Sequence, residues 1–197
     1  MTERVSIARI KVVLDDVEPT VTRRLEIPFS IKLDRLHTVL QVALGWTNSH
    51  PYEFRIKGVG FGVPDPDWGM GEGPLSARKA SLSDVIEDTG AKSFKYLYDF
   101  GDGWEHSIKI ERIDPAVDGI GYPRLIDATG CCPPEDIGGP WGYREALEAL
   151  ADPKHERHDE IVEWWGVETY DPEAFDTETI EAELAKLARR WAPKAKK

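Results

Sequence analysis

Hydrophobic and polar residues alternate along residues 94–111, FKYLYDFGDGWEHSIKIE. Alternation of this kind predicts two antiparallel β-strands, and the glycines of Gly101-Asp102-Gly103 predict the turn between them. A two-residue turn would place aromatic and charged side chains on one face of the ribbon. A three-residue turn makes one face wholly core-like, so we predict the register that pairs Phe100 with Trp104, Tyr98 with His106, Tyr96 with Ile108 and Phe94 with Ile110.

The other face of this predicted hairpin is acidic. In the same register Asp99 lies across from Glu105, and Asp102 lies in the turn between them. Like charges directly across a pair of strands repel each other. We therefore expect water, a basic neighbour or a cation to offset the charge at this tip.

Alternation predicts further strands elsewhere. Residues 7–14 and 21–27 form a second predicted hairpin, and residues 52–56 form a strand that residues 59–63 could continue. Residues 114–130 show no clear period and are expected to form a loop. The long segment 64–79 is also expected to be a loop, either a lid over a pocket or a connection that tucks Trp68 into the core.

Apolar residues at helical spacing predict five helices. They run over 33–44 with Gly45 at the end, over 81–87, after Pro140, over 155–165, and from Asp176 or Thr177 onward. Strands come first and most helices later, which is typical of the α+β class. We predict a mostly antiparallel sheet with helices packed on its core face, in a single domain over residues 1–192 that is followed by a basic tail at 193–197.

The composition is that of an ordinary soluble globular protein. The chain has 197 residues, of which 41% are hydrophobic and 31% charged. No apolar run approaches the roughly 18 residues that cross a bilayer, and the N-terminal stretch MTERVSIARI lacks the apolar core of a signal peptide. We therefore predict a cytoplasmic protein that does not enter a membrane.

The formal net charge is −11 at pH 7. Binding to nucleic acid depends on Lys and Arg side chains that neutralise phosphates, so this charge disfavours a nucleic-acid partner. Such a function would need a basic face that opposes the overall charge. An unidentified protein or a small ligand is the expected class of partner.

The tip of the predicted hairpin is the first candidate site. Oxygen ligands from Asp99, Asp102 and Glu105 would suit a divalent cation, and a pair of these acids could serve general acid–base chemistry. His106 points to the other face from Glu105 in the predicted register, so its burial against Tyr98 is the simpler expectation. No cofactor is predicted beyond this possible divalent metal.

The adjacent cysteines Cys131 and Cys132 are the second candidate. They are the two cysteines of the chain, and neighbouring residues cannot link distant parts of a fold, so we predict reduced thiols. Zinc sites use spaced thiolates, commonly C-x2-C. A buried cysteine in a proline-rich loop is the favoured interpretation.

Two histidines give a third candidate. His155 and His158 are three residues apart and would share one helix face if the helix begins early enough, so they could hold a metal together. The alternative is a solvated helix start, which the surrounding charged residues favour. Arg23 is a further ambiguous residue, because it shares a face with buried residues: its head either finds an acid inside the protein or clamps an anion.

The tryptophans are the fourth candidate. Aromatic side chains can line a ligand pocket or a partner surface, but they can equally fill the core. We expect most of them to be core residues. The set comprises Trp46, Trp68, Trp104, Trp141, Trp164, Trp165 and Trp191.

Several segments resemble the plasmid pRiA4b ORF-3-like family. The segments are LDRLHTVLQVALGWTNSHPYEFRI, YLYDFGDGWEH, CPPEDIGGPWGYREALEALADPKHERHDEIVEWWG and YDPEAFD, and together they span nearly the whole chain. The resemblance implies an association with plasmids and insertion elements, where some members carry a TnpR-like label. It does not imply recombinase chemistry.

The resemblance also points to particular positions. The family often has a second cysteine just after the CPPED segment, where this chain has Ile137, so a thiol-based metal or redox site is not implied here. The positions that the resemblance marks as binding candidates are Tyr98, Asp99, Asp102, Trp104, Glu105, His106, Pro133, Glu135, Asp136 and Trp141.

Two functional hypotheses follow. The first is a non-enzymatic binding or interaction module, accessory to mobile DNA through protein partners. The alternative is a metal-assisted hydrolase that uses Asp99, Asp102 and Glu105, with Glu135 or Asp136 completing the metal site. Convergence of these carboxylates on one point would favour the hydrolase, and their dispersal over a convex surface would favour the module.

Overall fold

The computed structural model describes residues 5–65 and 73–192. Over these two segments the chain forms eight β-strands and five α-helices. The strands are β1 (Ser6–Leu14), β2 (Thr22–Pro28), β3 (Tyr52–Ile56), β4 (Val59–Gly62), β5 (Leu75–Ser76), β6 (Ser93–Tyr98), β7 (Trp104–Pro115) and β8 (Arg124–Thr129). The helices are α1 (Leu33–Leu44), α2 (Leu82–Thr89), α3 (Gly139–Ala151), α4 (His158–Trp165) and α5 (Thr177–Trp191).

The strands form one sheet in the order β5-β4-β3-β6-β7-β1-β2-β8. Neighbouring strands are antiparallel, except that β4 and β5 are parallel. The long strand β7 pairs with β6 on one side and with β1 on the other. The predicted α+β class, with a mostly antiparallel sheet in a single domain, is confirmed.

One face of the sheet forms the core. Alternate residues of β1, such as Ile10 and Val12, are buried there, whereas Arg9 and Lys11 lie on the opposite face. Each leucine buried on the core face contributes about 1.5–3 kcal/mol. All five described helices contribute side chains to this core, as predicted: buried ones from α1, α2, α3 and α5, such as Leu36, Leu82, Tyr143 and Leu184, and the partly buried Trp165 from α4.

The helix ends follow the local sequence. Helix α1 ends at Gly45, which adopts a left-handed conformation (φ 80°) and donates its N–H to the carbonyls of the last turn. Ser81 caps α2 by accepting the N–H of Asp84 at 3.2 Å. Helix α4 begins at His158, later than predicted, because the preceding residues form turns. In the first turn Asp152 accepts the N–H of Lys154, and the N–H of His158 donates to the carbonyl of His155.

The predicted register of the β6–β7 hairpin is wrong by two residues. The strands pair Tyr98 with Trp104 and Tyr96 with His106, so the loop has five residues. Asp99 sets this loop, because its Oδ1 accepts the N–H of Gly101 at 2.9 Å and its carbonyl accepts the N–H of Gly103 at 2.7 Å. A shift of two residues preserves the face of every side chain, so the core-like face was correctly predicted.

The changed register also overturns the acidic pair predicted across the strands. Glu105 lies opposite Leu97, and Asp99 lies in the turn. Phe100, which was expected to pair with Trp104, is exposed in the loop instead.

Three further predictions need correction, and the first is that the two-residue strand β5 lies within the segment 64–79, which was predicted to be a loop. Residues 59–62 do not continue β3 but turn back at Lys57-Gly58 to form β4, antiparallel to β3. Strand β8 lies within the segment predicted to be a loop, at the edge of the sheet beside β2. Its apolar residues Leu125 and Ile126 are adjacent in the sequence, so no alternation predicts a strand there. The pairing of β8 with β2 is itself irregular between Arg24 and Leu25.

Some predictions concern residues that the structure does not describe. The possible lid around Trp68 and the basic tail at 193–197 lie outside the described ranges. Within those ranges, no helix is both long and apolar enough to span a bilayer.

Candidate functional site

Three connecting segments meet at one end of the sheet, and we call this region the loop junction. They are residues 46–51 after α1, residues 99–103 between β6 and β7, and residues 131–138 before α3. Trp46 Nε1 donates to the carbonyl of Pro133 at 2.9 Å, which joins the first segment to the third. The N–H of Gly138 donates to Asp102 Oδ2 at 3.2 Å, which joins the third to the second.

Hydrogen bonds of Tyr98 and Glu135 connect the segments of the loop junction. The Tyr98 hydroxyl accepts the N–H of Ser49 at 3.0 Å and donates to Glu135 Oε1 at 2.5 Å. Glu135 Oε2 accepts both the N–H and the hydroxyl of Thr47, at 3.0 and 2.5 Å. One carboxylate therefore holds the segment after α1 against the end of β6.

These hydrogen bonds keep Glu135 ionised. Burial raises its pKa, but the hydrogen bonds from Thr47 and Tyr98, together with the nearby His50, outweigh burial and hold the pKa below its usual value of 4.5. Burial is the main reason that the pKa of Tyr98 is raised, and the hydrogen bond to Glu135 adds to the effect. Tyr98 is therefore a neutral donor and Glu135 an anionic acceptor.

His50 lies between two aspartates at the loop junction. Its Nδ1 is 3.6 Å from Asp99 Oδ2, and its Nε2 is 3.2 Å from Asp136 Oδ1. Although the second distance is short, the two atoms are not aligned as a hydrogen bond, and the buried Nε2 finds no hydrogen-bond partner among the residues that the structure describes. One donor atom from each of the three residues lies within 4.8 Å of the others.

The two aspartates differ in exposure. Asp99 is buried and Asp136 is exposed, so the group opens to solvent on one side. Both adopt positive φ angles, 55° and 63°, a conformation that aspartate tolerates better than most residues. We call His50, Asp99 and Asp136 the His–Asp cluster.

The donor set of the His–Asp cluster suits a divalent transition metal. One imidazole nitrogen and two carboxylate oxygens are ligands for Zn²⁺, Mn²⁺ or Fe²⁺, whereas Ca²⁺ prefers oxygen alone. Ligand bonds of about 2.0–2.2 Å would require the donor atoms to approach one another by roughly an ångström. Three protein ligands would leave at least one position on the ion open.

The structure gathers only part of the predicted metal site. Asp99 and Asp136 come together, but Asp102 is directed to the N–H of Gly138. Glu105 lies on the open face of the sheet, 3.6 Å from Arg55 and 3.9 Å from Lys95. Basic neighbours therefore offset Glu105, one of the outcomes expected for the acids near this hairpin.

Trp104 and His106 are fully buried beneath Trp46. His106 Nδ1 lies 3.2 Å from the carbonyl of Tyr96, and its ring packs against Tyr96 rather than against the predicted Tyr98. Burial lowers the pKa of His106 to about 4, so the ring is neutral at pH 7. His106 is a core residue on the opposite face from Glu105, as the sequence predicts.

Two further histidines lie near this end of the sheet. His37, at the edge of the apolar stripe of α1, is a structural residue, as is usual for a lone histidine there: its ring stacks on Tyr52 with centroids 3.6 Å apart and bonds to the Tyr96 hydroxyl at 2.7 Å. Burial lowers its pKa to about 4. His50 lies in a segment that carries the family resemblance, but no spacing pattern pairs a single histidine in a turn with aspartates about 50 and 85 residues later.

The structure separates the other candidates from the loop junction. His158 Nδ1 bonds to the carbonyl of Ala149 at 2.8 Å, and His155 precedes the helix rather than sharing its face. Neither belongs to a group of three possible metal ligands among the described residues. Trp141 is 79% exposed, with the Arg144 guanidinium 5.1 Å from its ring.

Cys131, Cys132 and Arg23 lie near one another. Both cysteines are free and partly buried, and burial raises the pKa of the Cys132 thiol. The Arg23 guanidinium, predicted to find an acid, donates instead to backbone carbonyls, at 2.7 Å to Ala43 and 2.8 Å to Thr129. The core expectation for the tryptophans holds for Trp46 and Trp104, which are buried, whereas Trp141 and Trp164 are exposed.

Comparison with known proteins adds the following matches. A family model described as plasmid pRiA4b ORF-3-like protein matches residues 6–179. Uncharacterized protein y4hQ of Sinorhizobium fredii is 60% identical over 192 residues, which are 98% of this chain and 97% of the relative. The crystal structure of MM3350, a protein of unknown function from Methanosarcina mazei Go1, superposes with a TM-score of 0.77 at 32% identity, covering 89% of this chain and 97% of that one.

Proposed function

The chain belongs to the family of plasmid pRiA4b ORF-3-like proteins, and we propose that this member is a binding module whose His–Asp cluster holds a divalent transition-metal cation. The ligands would be His50, Asp99 and Asp136. The cytoplasmic location and the link to mobile elements remain predictions that accompany this proposal.

The carrying observation is the convergence of three donor atoms from three separate segments of the chain. They lie within 4.8 Å of one another, although His50 and Asp136 are far apart in sequence. The buried Nε2 of His50 has no hydrogen-bond partner in the described ranges, an arrangement that a bound cation would satisfy. The same cation would offset the negative charge of the two aspartates.

The surroundings support a fixed site. Tyr98 and Glu135 hold the segment that carries His50, because Tyr98 accepts the N–H groups of Ser49 and His50, at 3.0 and 3.4 Å. Asp99 Oδ1 accepts the N–H of Gly101, which leaves Oδ2 directed towards His50. Outer hydrogen bonds of this kind orient the ligands of metal sites.

Hydrolysis is the second candidate function. A metal held by three protein ligands keeps a position for water, and the metal lowers the pKa of that water towards neutrality. The exposure of Asp136 would give a substrate access to the same side of the ion. In this form of the proposal, Glu135 and Tyr98 position the ligands and do not contact the substrate.

The proposal is tested by metal titration of the whole protein. Isothermal titration calorimetry with Zn²⁺ and Mn²⁺ is expected to give one site per chain. His50→Ala and Asp99→Asn are each expected to weaken binding by at least roughly tenfold. Glu105→Gln is the matched control, because Glu105 lies on the hairpin but faces Arg55 and Lys95.

Two results would contradict the proposed cation site. One is the absence of saturable binding to the wild-type protein, and the other is an equal loss in the Glu105→Gln control. Hydrolysis is tested separately with p-nitrophenyl acetate and p-nitrophenyl phosphate on the metal-loaded protein. Turnover that disappears in Asp99→Asn would support the hydrolase, and bound metal without turnover would support the module.

A further inference from the structure

The open face of the sheet carries a group of basic side chains, which we call the basic sheet face. Along β1, Arg9 and Lys11 alternate with the buried Ala8, Ile10 and Val12, so both lie opposite the core. Neighbouring strands add basic residues at matching positions. The whole set is Arg9, Lys11, Arg24, Lys109, Arg112 and Arg124.

Three cations of this face form one row across the sheet. Lys11 pairs with Arg24 of β2 on one side and with Lys109 of β7 on the other. Adjacent strands lie about 4.8 Å apart, and like charges placed opposite each other destabilise a sheet. The protein therefore keeps three cations where opposite charges would be more stable.

Only one cation of this row has acidic partners within the described segments. Arg24 contacts Glu111 at 3.0 Å and Asp127 at 2.9 Å. Lys11 and Lys109 form no ion pair with the residues that the structure describes. The ammonium groups of Lys11 and Lys109 are therefore able to pair with carboxylates of another molecule.

The next row is also rich in arginine. Glu26 is buried, and it lies 2.6 Å from both Arg9 and Arg124 and 3.8 Å from Arg112. Arg112 also contacts Asp114 at 2.8 Å. Among the described residues of this face, six cations thus share the four carboxylates of Glu26, Glu111, Asp114 and Asp127, a positive excess of two on a chain whose net charge is −11.

The positive excess ends towards β6 and β3. There Lys95 contacts Asp15 at 2.7 Å and Glu105 at 3.9 Å, and Arg55 contacts Glu53 and Glu105. The basic sheet face is therefore confined to strands β7, β1, β2 and β8. It is distinct from the loop junction, whose ligands lie in connecting segments.

We propose that the basic sheet face docks an acidic segment of another protein, with carboxylates of that segment seated on Lys11 and Lys109. Charge complementarity between a basic face and an acidic segment steers their association and fixes the register of the partner. At the strand positions of this face the described residues include no aromatic side chain, and one ring, that of Tyr122 before β8, lies 5.8 Å from the Arg124 guanidinium. The described part of the face therefore lacks a row of rings on which successive bases could stack.

The test is fluorescence anisotropy of the full chain with a labelled dodeca-glutamate peptide, and in parallel with a labelled twelve-nucleotide oligothymidylate. The wild-type protein is expected to bind the peptide at low salt, more tightly than the oligonucleotide, and to release it as salt is raised. The double variant Lys11→Glu, Lys109→Glu is expected to bind the peptide at least roughly tenfold more weakly.

The matched control is the double variant Lys154→Glu, Lys186→Glu. It changes the net charge equally at two exposed positions, one in the turn between α3 and α4 and one on α5, and it is expected to bind the peptide like the wild type. Circular dichroism checks the fold of every variant, and Lys11→Gln, Lys109→Gln replaces the first double variant if that one does not fold. Absence of peptide binding, an equal loss in the control, or tighter binding of the oligonucleotide would each overturn the proposal.

Discussion

Strand β2 contains two buried charges that the protein accommodates in different ways. Arg23 lies on the core face and Glu26 on the open face, and they are 1% and 3% exposed. In the part of the chain that the structure describes, no carboxylate pairs with Arg23, whose guanidinium donates to four backbone carbonyls. Glu26 has three arginines around it.

The two solutions act on different parts of the fold. The carbonyls that accept from Arg23 belong to the end of α1, to β2 and to the end of β8, so one side chain joins three segments. Glu26 instead joins neighbouring strands through charges that remain partly exposed. The buried backbone carbonyls around Arg23 thus stabilise the packing of separate segments. The arginines around Glu26 stabilise the open face of the sheet, where water screens part of the attraction between the charges.

Replacement of Arg23 by leucine is expected to destabilise the protein by about 3–5 kcal/mol, because it leaves buried carbonyls without a donor. Urea unfolding at pH 7 measures this difference. Arg23→Lys keeps the charge, but one ammonium group cannot reach all of the same carbonyls. The stability of this variant is therefore expected to lie between that of the wild type and that of Arg23→Leu. Full stability of Arg23→Lys would show that charge alone, and not the carbonyl contacts, matters at this position.

The buried histidines show a third way to accommodate a titratable group, which is to remain neutral. Burial lowers the pKa of His37 and His106 from 6.5 to about 4. The unfolded chain therefore binds more protons between these values, and stability is lost as the pH falls below 6.5. We expect each histidine to contribute about 2 kcal/mol to the loss between pH 7 and pH 5.

Urea unfolding of His106→Gln tests this contribution. The variant is expected to be less stable than wild type at pH 7, but to lose less stability between pH 7 and pH 5, because only His37 still titrates in the core. An unchanged pH dependence in the variant would show that His106 is not responsible. A pH dependence that vanishes in both proteins would contradict the buried neutral state of both rings.

Glu26→Gln is expected to destabilise by about 1–3 kcal/mol at pH 7, less than the change at Arg23, because the surrounding arginines keep access to water. Burial raises the pKa of Glu26, but the hydrogen bonds from Arg9 and Arg124 outweigh it and hold the pKa below the usual 4.5. The stabilisation is therefore present above pH 4.5 and is lost as the pH falls through the lowered pKa.

Urea unfolding at pH 7 and at pH values below 4.5 measures this difference. Wild type and Glu26→Gln are expected to approach the same stability in acid. A difference that persists unchanged at low pH would mean that the arginines act by packing and not by charge.

Lys109→Glu gives the smallest expected change and the opposite sign. It places a carboxylate opposite Lys11, which is expected to stabilise the sheet by about 0.2–1 kcal/mol. Thermal unfolding compares it with Lys154→Glu, an equal charge change at an exposed site away from the row. A loss of stability in Lys109→Glu would contradict the repulsion inferred for this row.

The sequence predicts the helices and strands correctly where residues close together in the chain determine the structure. Gly45 and Ser81 mark helix ends through their own backbone and hydroxyl chemistry. The alternation of apolar and polar residues, however, could not distinguish a three-residue from a five-residue loop at the hairpin, since both loops keep the same side chains on the core face. The choice depends on Asp99, whose hydrogen bonds within the turn no alternation pattern reveals.

Long-range pairing accounts for what the sequence did not show. Strand β8 is irregular by itself and is held by β2, for example through Arg24 and Asp127. At the loop junction, the sequence identified Asp99 and Asp136 as acids of interest. It could not associate them with His50, because three loops of unrelated spacing meet only after the sheet has formed.

The glycine at the start of α3 constrains the shape of the loop junction. Gly139 has a φ of 70°, and a Cβ atom there would lie 2.2 Å from the carbonyl oxygen of Asp102. Any side chain at this position would push the hairpin turn outward, and Asp99 belongs to the same turn. The shape of the cluster therefore depends on a hydrogen atom at a position that supplies no ligand. Redesign of the proposed cation site would have to leave the volume beside Gly139 unfilled before it altered a donor atom.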